Sequence, residues 1–150
     1  MYNTASKLET LINDYLIQLK DISEEQFSKK PSPLKWSKKE ITGHLIDSAQ
    51  NNIRRFIVAQ YEDNPSIAYD QDKWVAINNY QHMEASLIIE LWYLLNKQII
   101  HILQSISTEA AQRTSITGDV HTVEWLAEDY IKHLKHHIHQ VLELEPFAYP

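Results

Sequence analysis

A cluster of histidines near the end of the chain is the clearest candidate for chemistry. Four of the eight histidines of this 150-residue sequence fall at positions 133, 136, 137 and 139, among apolar residues at helical spacing. Because successive residues of a helix are about 100° apart, the four imidazoles cannot share one face. His133 and His137 are predicted to lie on the inner edge of the apolar stripe, whereas His136 and His139 are predicted to face solvent.

The spacing of His133 and His137 suits a metal ion. Residues at positions i and i+4 have Cβ atoms about 6 Å apart on one helical face, within reach of a single cation. A pair leaves the ion under-coordinated, and His44, near the apolar face of an earlier predicted helix, is the leading third ligand. Three neutral imidazoles suit Zn²⁺, Ni²⁺ or Fe²⁺ and leave a position open for water or substrate. An open position is typical of catalytic sites, where the ion lowers the pKa of a bound water to near 7.

Two carboxylates are candidates for orienting these imidazoles. Asp129 precedes His133 by four residues, and Asp47 follows His44 by three. Either could accept the free ring N–H of a ligand and so fix its tautomer. The alternative is that both are ordinary surface carboxylates. No residue is predicted to be the general base.

A second interpretation of the same histidines needs no ion. The H-x-x-x-H spacing is a weak signal by itself, since buried histidines often make only hydrogen bonds. The protein would then be a non-catalytic bundle with vestigial histidines, acting as a dimerisation or small-molecule-binding module. His82, His101 and His121 have no comparable partners and are predicted to be structural or surface residues.

Composition indicates one domain over residues 1–150 and excludes several functions. The chain is 43% hydrophobic, long enough to bury a core. A net charge of −6 argues against nucleic-acid and anionic-membrane partners. The chain has no cysteine, which excludes a cysteine nucleophile. It has only two glycines, which leaves no room for a Gly-rich phosphate-binding loop or a G-x-S-x-G nucleophile elbow. We expect a soluble cytoplasmic protein that acts on a small molecule.

Apolar periodicity predicts four long helices that must position the histidines. They span 4–20, about 37–61, about 81–105, and 122 to just before Pro146. Ser37 with Glu40 is a predicted capping box, and Thr122 is a predicted cap. Four helices with one-sided apolar stripes, and no segment with strand periodicity, predict an all-α four-helix bundle.

The long connection over 62–80 is a candidate cover for a pocket. Connections this long inside compact domains are often functional, and Tyr69 and Trp74 are predicted to shape the pocket. A surface loop pinned by these two aromatic residues is the equal alternative. The segment 107–120 is predicted to be a polar connection with a turn at 118–119.

Several short motifs resemble the DinB/YfiT-like superfamily over about residues 30–142. They are Trp-Ser at 36–37, His-Leu-Ile-Asp-Ser at 44–48, Asn-Ile-Arg-Arg-Phe at 52–56, Asp-Gln-Asp-Lys-Trp at 70–74 and His-Leu-Lys-His-His-Ile-His-Gln at 133–140.

The resemblance implies a four-helix bundle of up-down-down-up type, often a homodimer, with a divalent metal held by three histidines. Carried over residue by residue, the ligands are His44, His133 and His137, the same set that helical geometry suggests. Members of the family are variously described as metal-dependent hydrolases or as S-transferases that use a low-molecular-weight thiol such as bacillithiol, mycothiol or glutathione. The resemblance therefore implies a metal site more strongly than any one reaction.

Overall fold

Four long helices form the body of the protein in a computed structural model that describes residues 1–149. The elements, in chain order, are α1 Tyr2–Lys20, α2 Glu24–Ser28, α3 Lys38–Val58, α4 Gln71–Asn78, a 3₁₀ turn Tyr80–His82, α5 Ala85–Ser105, α6 Thr108–Ala111, β1 Thr114–Ile116, β2 Val120–Thr122 and α7 Val123–Leu142. The bundle consists of α1, α3, α5 and α7, so the predicted all-α four-helix bundle is confirmed.

Side-chain contacts fix the relative directions of the long helices. Helix α1 runs parallel to α7 and antiparallel to α5. The contacts that show this are Thr4 with Glu128 and Tyr15 with His139 between α1 and α7, and Glu9 with Lys97 and Asn13 with Tyr93 between α1 and α5. Helix α3 runs antiparallel to α7, since His44 contacts His137 and Ser48 contacts His133. The order is therefore up-down-down-up, as the resemblance implies.

Caps fix where the two histidine-bearing helices begin. The Ser37 hydroxyl accepts the backbone N–H of Glu40 at 3.2 Å, and the Glu40 carboxylate accepts the backbone N–H of Ser37 at 2.7 Å. This capping box satisfies two donors at the first turn of α3. Thr122 Oγ1 accepts the backbone N–H of Trp125 at 3.1 Å at the start of α7. Both predicted caps are confirmed, and they set the helical register of the histidines.

Two segments predicted as irregular contain regular structure. Helix α4 lies within the 62–80 connection and begins where Asp70 Oδ1 accepts the backbone N–H of Lys73 at 3.1 Å. In the 107–120 segment, α6 is followed by the antiparallel hairpin of β1 and β2. The prediction that no strand is present was wrong, because strands of three residues are too short to show an alternating pattern.

The buried faces of the four long helices meet in one core. Its largest fully buried side chains include Trp92, Phe27, Phe56 and Leu134. Because this core fixes α3 against α7, it also fixes the faces on which His44 and His133 lie. No helix among residues 1–149 is both long and apolar enough to cross a bilayer.

Candidate metal centre

Three histidines from two helices converge between α3 and α7. His44 is buried on α3, and His133 and His137 are half-buried on α7. The Nε2 atoms of His44 and His133 are 3.1 Å apart, and one ring nitrogen from each of the three histidines lies within 4.8 Å of the other two. The structure thus brings together the three residues that the sequence singled out.

The spacing of these nitrogens suits a shared ion. Imidazole nitrogens bind zinc at about 2.0–2.1 Å, so two ligands of one tetrahedral ion lie about 3.3 Å apart. The observed 3.1 Å between the Nε2 atoms of His44 and His133 is close to that value. The ring centroids are 4.6 to 5.0 Å apart, and each pair of rings meets nearly edge-on. The three rings therefore surround a common point.

The other ring nitrogens have different surroundings. His137 Nδ1 lies 2.9 Å from Gln140 Oε1, and His133 Nδ1 lies 3.4 Å from Ser48 Oγ. His44 Nδ1 is buried and has no hydrogen-bond partner among residues 1–149. Trp36 packs on the His44 ring at 5.4 Å between centroids. Gln140, Ser48 and Trp36 are neighbours of the site that helical spacing alone did not identify as such.

Burial keeps the three imidazoles neutral. Burial, and to a smaller extent the neighbouring His137, together lower the pKa of His44 to about 4. Burial, then the adjacent histidines, holds the pKa of His133 far below its usual range, and burial also lowers the pKa of His137. Neutral imidazole is the form that binds a metal ion, so no proton has to be removed at pH 7.

The stability of the metal-free protein should fall on acidification from pH 7 to pH 5. Unfolded histidines bind protons below about pH 6.5, whereas the native histidines of lowered pKa do not, so stability is lost as the pH falls through this window. Asp47 opposes this, because burial raises the pKa of its native carboxyl to about 6. Three histidines outweigh one carboxyl, and urea unfolding at the two pH values measures the difference.

Asp47→Asn is the matched variant for the pH measurement. It keeps an oxygen that can accept the two hydrogen bonds made to Asp47 but removes the opposing titration, so the stability loss between pH 7 and pH 5 should be larger. Equal stability of the unsubstituted protein at both pH values would contradict this account of the buried histidines.

The two candidate carboxylates have partners other than the expected imidazoles. Asp47 Oδ1 accepts the hydroxyl of Tyr80 at 2.6 Å and the side-chain amide of Asn78 at 3.1 Å. Asp129 Oδ2 accepts the hydroxyl of Tyr149 at 2.9 Å. The contacts therefore differ from the expectation that Asp47 or Asp129 accepts a ring N–H. Instead, Asp47 holds the segment before α5 against α3, and Asp129 holds the C-terminal tail.

A cavity of about 330 Å³ opens onto His44 and His133. Its lining is mainly polar and comes from α3, α7, the 62–80 connection, the hairpin and the tail. The lining residues are His44, Ser48, Asn52, Arg55, Tyr69, Gln71, Thr117, Leu126, Asp129, Tyr130, His133 and Tyr149. Tyr69 lines the cavity, while Trp74 packs edge-on against Tyr69 at 5.4 Å between centroids and is not part of the lining.

The remaining histidines divide into two groups. His82 and His101 are exposed, and His121 stacks on Trp125 at 3.6 Å. His136 and His139 are half-buried beneath the tail, so the prediction that they face solvent was wrong. Their ring nitrogens contact backbone carbonyls of the tail, and no pattern in the sequence locates those partners.

The sequence as a whole matches a known family. The sequence model described as the DinB superfamily matches residues 7–141. The chain belongs to the DinB superfamily. A relative in Bacillus cereus (strain AH820), named "Putative metal-dependent hydrolase", is 24% identical over 141 residues, which cover 92% of this chain and 81% of the relative.

Solved structures share the fold of this chain. YfiT from Bacillus subtilis, described as "a probable metal-dependent hydrolase with an unusual four-helix bundle topology", has a TM-score of 0.78 and 22% identity, covering 93% of this chain and 84% of YfiT. A mutant of the mycothiol-dependent maleylpyruvate isomerase has a TM-score of 0.79 and 9% identity, covering 96% of this chain but 61% of the isomerase. At these identities the likeness concerns the fold.

Proposed function

We propose that this DinB protein is a metal-dependent enzyme in which His44, His133 and His137 hold one divalent ion, Zn²⁺, Ni²⁺ or Fe²⁺. The observation that carries the proposal is the convergence of three neutral imidazoles from α3 and α7 on one point. Three protein ligands leave at least one position open, as in catalytic rather than structural zinc sites. When bound, the ion would lower the pKa of a bound water or thiol and so supply a nucleophile at neutral pH.

The protein's own side chains prepare the site. Gln140 and Ser48 contact the Nδ1 atoms of His137 and His133, which directs the opposite ring nitrogens towards the centre. Trp36 covers the His44 ring from the side. The cavity beside His44 and His133 is large enough for a small molecule, and Tyr69 contributes to its wall. Asp47 and Asp129 act indirectly in this proposal, by holding the neighbouring segments in place.

Two reaction classes fit such a site. Hydrolysis is supported by the name of the Bacillus cereus relative and by the polar cavity beside the site. Transfer of a low-molecular-weight thiol is supported by the fold shared with the mycothiol-dependent isomerase. A thiol substrate would provide its own sulfur, so the absence of cysteine from this chain is compatible with that reaction.

Metal content tests the proposal against a non-catalytic module. Purified protein is expected to hold close to one equivalent of Zn, Ni or Fe by emission spectroscopy, and a strong chelator is expected to lower its Tm, because an ion that binds only the native state stabilises it. A preparation that takes up none of the three ions, with a Tm insensitive to chelator, would instead support the module with vestigial histidines.

Substrate assays separate the two enzymatic reactions. The metal-loaded protein is incubated with ester and amide substrates, and separately with a generic electrophile plus bacillithiol, mycothiol or glutathione. Hydrolysis without thiol supports the hydrolase. Turnover only when a thiol is present eliminates the hydrolase in favour of the transferase.

We also infer that the protein forms a homodimer, as the family resemblance implies. Leu87 and Leu94 lie two turns apart on the same side of α5 and are 51% and 55% exposed, which gives that side apolar area for contact with a second copy. Light scattering of the protein as it elutes from a size-exclusion column measures its molecular mass in solution. A monomer at all concentrations would contradict the inference.

A further inference from the structure

We propose that the backbone carbonyl of Phe147 sets the tautomer of His137, acting through His136 and Gln140, so that His137 presents an unprotonated Nε2 to the metal centre. We call this chain of hydrogen bonds from Phe147 to His137 the relay. Its role in metal binding rests on the proposed function, but the tautomer of His137 can be measured without any metal. Gln140 and His136 are then positioning residues for the centre.

The first link joins the C-terminal tail to His136. The Nδ1 atom of His136 lies 2.6 Å from the backbone oxygen of Phe147. A carbonyl oxygen only accepts hydrogen bonds, so Nδ1 must carry the proton. In the neutral imidazole, the Nε2 atom of His136 is therefore a lone-pair acceptor.

The second link fixes the orientation of the Gln140 amide. Its Nε2 atom lies 3.0 Å from the acceptor Nε2 of His136, so the amide nitrogen donates there. The reverse orientation would direct the amide oxygen at His136 Nε2 and require both nitrogens of that ring to be protonated. A neutral His136 thus leaves the Gln140 oxygen facing His137.

The third link determines which nitrogen of His137 is protonated. Gln140 Oε1 lies 2.9 Å from His137 Nδ1 and can only accept, so His137 donates from Nδ1. Its Nε2 atom is left with the lone pair that a metal ion requires. Outer partners of this kind fix the tautomer of metal-binding histidines.

A second set of contacts holds the tail in place. His139 Nδ1 donates to the backbone oxygen of Glu145 at 2.7 Å, and the Tyr15 hydroxyl donates to His139 Nε2 at 3.0 Å. The Lys135 ammonium lies 4.6 Å from the centre of the Phe147 ring. His139 therefore anchors the tail that carries the Phe147 carbonyl, without touching the metal centre itself.

Nitrogen NMR of the metal-free protein tests the relay directly. Long-range ¹H–¹⁵N spectra of the imidazoles should show His137 protonated at Nδ1 only. Gln140→Leu, which removes the acceptor, should produce a mixture of both tautomers. Gln140→Glu keeps an oxygen for His137 Nδ1 and should preserve the single tautomer, as should the control His101→Ala, at an exposed histidine of α5.

Zinc titration of the same four proteins tests whether the relay affects zinc affinity. Gln140→Leu should lower zinc affinity by about 10–100-fold, the range seen when an outer partner of a metal-binding histidine is removed. Gln140→Glu and His101→Ala should bind zinc within a few-fold of the unsubstituted protein.

The outcomes separate this inference from the proposed function. If the unsubstituted protein shows the Nδ1–H tautomer, and loses it in Gln140→Leu, but binds no zinc, the relay is supported and the metal site fails. If it binds zinc, and Gln140→Leu changes neither tautomer nor affinity, the metal site is supported and the relay is overturned.

Discussion

His133→Ala is expected to lower zinc affinity by at least about 100-fold, because the loss of an outer partner alone costs about 10–100-fold and this substitution removes a ligand itself. His133 contacts both other histidines, with its Nε2 atom 3.1 Å from that of His44 and its ring centroid 4.6 Å from that of His137. Without it, two imidazoles remain, which is too few to hold the ion against solvent. Zinc titration against a competing chelator measures the loss.

His101→Ala is the matched control for His133→Ala. His101 is exposed on α5, and its side chain makes no contact with the three central histidines. The His101→Ala variant should bind zinc with the affinity of the unsubstituted protein. The circular dichroism spectra of both variants should remain helical. Unchanged zinc affinity in folded His133→Ala would remove this residue from the proposed site.

Gly43→Ala is expected to lower the free energy of unfolding by about 1–3 kcal/mol through overpacking. Gly43 precedes His44 in α3, and a Cβ atom added there would overlap the ring of Tyr80. That ring is 3% exposed, and its hydroxyl donates to Asp47 at 2.6 Å, so it has little room to move. Alanine is more favourable than glycine in a helix interior by about 1 kcal/mol, and we expect the overlap with Tyr80 to outweigh this gain. Urea unfolding measures the change.

A double-mutant cycle with Tyr80→Ala identifies the cause of that loss. Once the ring is removed, Gly43→Ala should no longer destabilise the protein and should contribute the ordinary helix preference of alanine. The same loss in both backgrounds would show that the close approach of Gly43 to Tyr80 is not its source.

The main helices could be predicted because each carries a long apolar stripe. The caps at Ser37 and Thr122 are also local signals, and the structure contains both. His133 and His137 could be paired because one helix sets the angle between them. The approach of His44 required the packing of α3 on α7, which spacing within one helix does not determine. His44 was the leading third ligand because it lies near the apolar face of its helix, and the family resemblance implied the same residue.

Other features depend on contacts between distant parts of the chain. The hairpin strands are three residues each, too short for an alternating pattern. Asp47 accepts the hydroxyl of Tyr80, 33 positions further along the chain, and no local pattern around Asp47 predicts that partner. His136 was predicted to face solvent because its helical angle lies away from the apolar stripe. Its partner, the backbone carbonyl of Phe147, could not be predicted, since any residue can provide a carbonyl.

The most direct test of the proposed centre is anomalous diffraction from crystals of the metal-loaded protein, recorded on both sides of the absorption edge of the bound metal. We expect one strong anomalous peak between α3 and α7, about 2.0–2.1 Å from a nitrogen of each of His44, His133 and His137 if the metal is zinc. A peak elsewhere, or no peak between these three rings in fully loaded protein, would contradict it.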